Sequence, residues 1–285
     1  SIPIERYQDA RTSQAFKTLT APLMLRRVKT DKNVIADLPD KLVSDKYANL
    51  TLEQKVLYQQ IVEQTEKTLR DKDGISKKGA VFALMTALKQ VCCHPALYCE
   101  TSGKKAELSG KTTLLLELIK TIHERGEKVL IFTQYAQMGH LLQEIFQDEL
   151  GEKALFLYGG SSRAQRDSMV EAFQTDLSAY LMILSIKAGG TGLNLTAASH
   201  VIHYDLWWNP AVENQATDRA YRIGQAKNVQ VHRLITKGTF EEKINEMLLK
   251  KQELVQQVVT KGETWLTELS NDELKELISL REEST

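Results

Sequence analysis

Lys128-Val-Leu-Ile-Phe-Thr-Gln-Tyr135 contains an apolar, β-branched and aromatic run at 129–133. A run this short, set between two longer helical patterns at 111–125 and 136–150, reads as a buried strand. Working outward, the same signature recurs at 154–157, 180–184, 200–204 and 229–235, with further helical patterns at 163–174 and 210–223. Short apolar runs alternating with amphipathic helices predict an α/β fold with a mostly parallel sheet flanked by helices. In such sheets the functional loops gather at the carboxyl ends of the strands.

The flanks read differently. Residues 1–109 are expected to be largely helical, with an irregular stretch at Leu38-Pro39-Asp40, where proline disfavours helix. Thr51 and Gln54 form a capping box, and Val56, Leu57, Ile61 and Leu69 are expected on one broad face of the helix that follows. Asp71-Lys-Asp-Gly74 signals a turn, and 80–93 a second apolar helix that stops before Pro95. Residues 100–110 are polar and hold two glycines, which places a boundary near 109/110. At the other end, 240–260 predicts one long helix and 265–280 a shorter acidic one, both bracing the sheet. The expected divisions are 1–109, 110–239 and 240–285.

With 285 residues, 42% of them hydrophobic and 26% charged, the chain has the composition of a soluble globular protein with a sizeable core. The formal net charge is +0, so any contact with nucleic acid must come from a local basic face. No apolar run reaches the length of a membrane span, and the polar start does not resemble a signal peptide. Three cysteines form no disulfide framework and fit a reducing interior.

The densest chemistry lies in Gln215-Ala-Thr-Asp-Arg-Ala-Tyr-Arg-Ile-Gly-Gln225. Asn209-Pro210 reads as a helix start and Gly224 as its end. On a helix, Gln215, Arg219 and Arg222 share one face, while Ala216, Ala220 and Ile223 form a small apolar stripe that can pack on a sheet. Two guanidinium forks aimed together suit phosphate oxygens and charge developing on a transferring phosphoryl group. An ordinary Asp218–Arg222 surface ion pair accounts for the same spacing. Ala188-Gly-Gly-Thr-Gly192 follows a strand, and its glycines allow a phosphate close to the backbone or simply a tight turn. Ser109-Gly110-Lys111-Thr112 is no phosphate-binding loop: Lys105 stands where that loop needs its first glycine, so Ser109 is a helix cap. Cys92, Cys93, His94 and Cys99 match no common zinc spacing and read as residues of a helix end.

Four stretches, in order, resemble the motifs of the SWI/SNF-type helicase-like ATPases of superfamily 2. Residues 128–135 resemble motif IV. Tyr158-Gly-Gly-Ser-Ser-Arg163 through Phe173-Gln174 resembles the motif that follows it. Leu184-Ser-Ile-Lys-Ala-Gly-Gly-Thr-Gly-Leu-Asn-Leu195 resembles motif V, and 215–225 motif VI. Asp205-Leu-Trp-Trp-Asn-Pro-Ala-Val-Glu-Asn-Gln215 is most like bacterial and archaeal members, and the resemblance spans roughly 22–244.

The resemblance implies a RecA-like second lobe carrying an N-terminal helical protrusion that bridges from a first lobe. It implies Arg219 and Arg222 as arginine fingers, with Gln215 orienting nearby groups, and Gly190, Thr191, Gly192 and Asn194 on the nucleotide side. It places Thr133, Gln134, Ser185 and Lys187 on the DNA backbone; Arg163, at a helix start after Gly159-Gly160-Ser-Ser, suits a DNA phosphate or equally belongs to a solvated capping region. Trp208 reads equally as a DNA contact or as core, Trp207 as core, and Arg26 and Arg27 as DNA contacts or as part of the joint between lobes. The implied ligands are ATP and Mg2+, bound mainly by the first lobe, and double-stranded DNA. The implied state is a monomer in the cytoplasm, nucleoid-associated in a prokaryote or nuclear in a eukaryote. A non-catalytic binding module and part of a strand-separating helicase are the alternatives.

Overall fold

Six parallel strands form one sheet in the order β1-β6-β5-β2-β4-β3. In the computed structural model, residues 39–69, 74–185, 192–207, 209–250 and 262–281 are described. The strands are β1 (Lys41–Ala48), β2 (Lys128–Thr133), β3 (Leu155–Leu157), β4 (Leu181–Ser185), β5 (Ala198–His203) and β6 (Val229–Thr236). Every residue of β2, β4 and β5 is buried, as expected of strands covered by helices on both faces.

Strand β1 is a correction to the reading of this stretch as irregular and helical. It lies at the sheet edge and pairs with β6 from Lys41↔Val229 to Ala48↔Thr236. Its apolar residues do not alternate, and Leu42, Val43 and Tyr47 are exposed, so the local pattern carries no strand signal. A partner lying 188 residues away in the chain makes it a strand.

Between strands run α3 (Gly110–Glu124), α4 (Ala136–Leu150), α5 (Arg163–Thr175) and α6 (Pro210–Thr217), close to expectation except for the early end of α6. Before them stand α1 (Leu52–Leu69) and α2 (Gly74–Cys93); after β6 come α7 (Phe240–Lys250) and α8 (Asn271–Ile278). The capping box of α1 is present: Thr51 N donates to Gln54 Oε1 and Gln54 N to Thr51 Oγ1. Gln54 also ties α1 to α2 through Nε2, which donates to Val91 O at 2.7 Å. The buried stripe of α1 runs through Gln54, Tyr58 and Ile61; Val56, expected on it, is 46% exposed. The turn signal at 71–73 lies outside the described residues.

The C-terminal reading also changes. One helix over 265–280 is in fact a 3-10 segment, Gly262–Glu268, followed by α8. Ser270 starts the new helix with a capping box to Glu273, and an N-cap cannot lie inside a continuous helix. Of the long helix 240–260, residues 251–260 lie outside the described residues. The C-terminal elements do more than brace the sheet: Phe240, Ile244, Trp265 and Leu277 share one core with Tyr58, Leu84 and Leu88 of α1 and α2. Among the described residues no helix is long and apolar enough to cross a membrane.

Ser109 caps α3 by accepting from Thr112 N, as expected, and its hydroxyl donates to Cys93 O at 2.6 Å. Gly110 is required by close approach, since a Cβ there would lie 1.8 Å from Asn49 O. Lys111 points into the protein and forms a fully buried ion pair with Glu241 at 2.8 Å. Glu241 also accepts from Thr236 N, joining α3, β6 and α7. His94 caps a short 3-10 turn, accepting from Ala96 N at one ring nitrogen and engaging Lys105 O with the other.

Lys111→Met should leave Glu241 as an unpaired buried carboxylate and destabilise the chain by about 3–5 kcal/mol in urea unfolding. Adding Glu241→Gln should recover part of the loss, because the neutral amide still accepts from Thr236 N. Two buried histidines set a pH dependence. Burial first, then the neighbouring charges of His200 and Lys46, push His232 down to about 4; burial, Arg233 and Lys41 push His203 down to about 3. Both sit below the unfolded value of about 6.5, so between there and pH 4 the unfolded chain binds protons that the native chain does not. The urea midpoint should be level above pH 6.5 and fall steadily below it. His232→Gln should make that fall shallower.

Candidate functional site

The carboxyl ends of β2, β4 and β5 lie side by side, with Thr133 and Ser185 as register partners. Thr133 and Ser185 are both buried. Thr133 donates its hydroxyl to Asp205 at 2.5 Å, and Gln134 N donates to the same carboxylate at 2.9 Å. Gln134 Nε2 reaches Leu206 O at 2.8 Å. Burial pushes the Asp205 carboxyl up, while these hydrogen bonds and the Lys111 charge hold it down. Thr133 and Gln134 thus clamp the segment leaving β5, and the Thr133 hydroxyl is turned away from solvent.

The clamped segment leads into α6. Asn209 caps it, accepting from Ala211 N at 3.0 Å, and proline occupies its first turn. The helix then ends at Thr217, six residues before the expected end. Arg219 N and Ala220 N each bond three residues back, to Ala216 O and Thr217 O, as in tight turns. Leu195 N donates to Arg219 O at 3.0 Å, tying the turns to the segment that enters β5. Gln225 Nε2 donates to Thr196 O, Ala198 O and Ala220 O, binding the turns to the entry of β5. Gly224 has φ 99°, the left-handed conformation its lack of Cβ allows.

The single helical face expected for Gln215, Arg219 and Arg222 is therefore corrected: only Gln215 lies on the helix. The apolar stripe is corrected with it, for Ala216 and Ala220 are buried but Ile223 is 73% exposed. The turns nonetheless bring the two arginines together. Arg219 is mostly buried, and burial first, then the charge of Arg222, lowers its pKa. Arg222 is exposed and donates from Nη1 to Leu193 O at 3.1 Å. Gly192 and Asn194 lie exposed on either side of that carbonyl. Arg219, Arg222, Gly192 and Asn194 thus form one cluster, and two adjacent cations there gain from an anion.

Arg163 opens α5 away from this stitching, highly exposed and 4.0 Å from Asp167. Trp207 is half-buried and lines a cavity of about 230 Å³ with Phe82, Met85 and Tyr135. Arg26, Arg27, Lys187, Gly190, Thr191 and Trp208 lie outside the described residues. Sequence reasoning assigned no role to Asp205 or Gln225, whose partners come mostly from other segments.

Comparison with known proteins gives two family matches: the Helicase conserved C-terminal domain over residues 110–224 and the SNF2-related domain over residues 1–97. The Sulfolobus solfataricus SWI2/SNF2 ATPase core in complex with dsDNA is 40% identical, with a TM-score of 0.79, over 96% of this chain and 57% of that one. The C-terminal domain of the Sulfolobus solfataricus SWI2/SNF2 ATPase is 39% identical, with a TM-score of 0.74, over 85% of this chain and 100% of that one. YwqA of Bacillus subtilis is 48% identical over 98% of this chain and 30% of its own length. The chain spans less than a third of that relative.

If Gln225 holds the arginine turns, Gln225→Ala should lower stability by about 1–3 kcal/mol through buried carbonyls left without their donor. Amide hydrogen exchange at Leu195 should accelerate relative to the centre of β2.

Proposed function

The chain belongs to the SWI2/SNF2 family of helicase-like ATPases as its C-terminal lobe, and we propose that it is half of an ATP-driven translocase on double-stranded DNA. The observation that carries this reading is the pairing of Arg219 and Arg222 against the Gly192–Asn194 segment. A pair of permanently charged forks on a supported turn suits the γ-phosphate of a nucleotide brought by a facing lobe.

In this reading residues 110–239 are the RecA-like lobe, with 1–109 the bridge from the first lobe, lending β1 to the sheet, and 240–285 the brace. Gly190, Thr191, Gly192 and Asn194 support the nucleotide side, and Gln215 orients groups near the arginines. ATP supplies the phosphoryl group, and Mg2+ is held mainly by the first lobe. Arg163, Lys187 and Trp208 face the DNA backbone, with Gln134 at the edge of that surface, the buried Ser185 beneath it, and Arg26 and Arg27 near the interlobe joint. Thr133 serves this surface indirectly, by holding Asp205. DNA is the macromolecular partner, in keeping with the DNA-bound Sulfolobus core. Lobe closure completes the site and hydrolysis reopens it, so one DNA grip moves relative to the other.

The chain by itself should not turn over ATP, whereas mixing it with a separately produced first lobe should give turnover stimulated by duplex DNA. In the two-lobed protein, Arg222→Ala should lower that turnover by about 10³-fold. Turnover by this chain alone, or near-normal turnover in the variant, would remove the basis for the reading.

A further inference from the structure

The helix that delivers the arginines is too short to place itself. α6 has 8 residues, and two turns of helix have no stable position or even existence in isolation. Three tertiary ties locate it. Thr217, its last residue, bonds His203 Nε2 at 3.0 Å through its hydroxyl. Asn214 accepts from Lys41 Nζ at 3.1 Å, and that ammonium also sits 5.8 Å from the centroid of the Tyr221 ring, between the two arginines in sequence. Glu213 accepts from Arg233 Nε at 3.1 Å.

Arg233 is the hub of the third tie. It lies on β6 in register with Asp45 on β1, and its Nη1 donates to Asp45 Oδ1 at 2.8 Å and to Asn245 Oδ1 at 3.1 Å. Asn245, from α7, closes the ring by donating to Asp45 Oδ2 at 2.9 Å. The Arg233, Asp45 and Glu213 side chains are 16%, 23% and 11% exposed, so the charges are only partly screened by water. One guanidinium therefore spans two carboxylates and an amide from three different elements. A lysine, with a single point of charge, cannot reproduce that fork.

We propose that Arg233 is a positioning residue for the arginine pair, and that it registers α6 on edge strand β1 through the Asp45–Arg233–Glu213 relay. Two of the three ties on α6 run to β1, one from Lys41 and one from Asp45 by way of Arg233. A displacement of β1 along β6 would thus be felt at Glu213 and Asn214, and through them at Arg219 and Arg222. The inference rests on reading Arg219 and Arg222 as groups that act on a nucleotide.

The test is a double-mutant cycle in the two-lobed protein, reading DNA-stimulated ATP turnover. Arg233→Lys should lower kcat about ten-fold, as expected for a displacement below 1 Å, and change the KM for ATP less than two-fold. Asp45→Asn, a near-isosteric change at the sheet edge, should give a smaller loss of the same kind and covers failure of the first variant to fold. In an Arg222→Lys background, Arg233→Lys should add little, because both changes disturb one unit. Wild-type kcat in both Arg233→Lys and Asp45→Asn overturns the inference, as does a loss that multiplies in full with that of Arg222→Lys. Wild-type turnover in Arg222→Ala fails the nucleotide reading itself, whatever Arg233 does, and is recognised by that single variant.

Discussion

The hydrogen bond from Leu195 N to Arg219 O determines the shape of the site. It ties the turn that carries the arginines to the segment entering β5. After Thr217 the chain runs in tight turns, and the Gln225 side chain binds those turns to Thr196 and Ala198. The outcome is a short helix followed by an irregular, doubly tethered stretch. A rigid helix would have held the arginines by its own backbone. Here they are held by another part of the chain, the segment that also carries Gly192 and Asn194. The two halves of the cluster cannot move independently.

Buried charge elsewhere serves the same end. Lys111 and Glu241 form a dry ion pair that ties the first sheet helix to the last strand and the helix after it. Asp205, drawn between Thr133 and Gln134, fixes how the chain leaves β5. Arg233 spans strand, edge and helix. Such pairs add little net stability over apolar packing, yet each admits few alternative geometries. Their placement around the carboxyl ends of the strands is where geometric accuracy matters for chemistry.

Much of the fold was legible. Strands β2 to β5 are largely apolar and buried, and helices α3 to α5 carry their own periodicity, with side-chain caps on α3 and α5. The capping boxes at Thr51 and Ser162 and the cap at Ser109 are local, so the residues that make them lie within one turn. The misreadings share a cause. β1 is a strand because β6 is beside it; α6 gives way to turns that the segment entering β5 ties in place; α8 starts afresh because Ser270 caps it in place of continuing the preceding turn. The last was legible in principle, since the box from Ser270 to Glu273 is local. The first two were not.

By itself, then, the sequence determined the class of fold, the places of its buried strands along the chain, and two arginines with a glycine-rich segment as candidates. Those follow from hydrophobic period, capping chemistry and residue type, all of which act over a few residues. Only the tertiary structure decided how the arginines meet. Their approach depends on hydrogen bonds across 24 and 29 positions of sequence, and on an edge strand paired across 188. Interactions of that span leave no period in the chain, because each partner needs only one suitable group at one place.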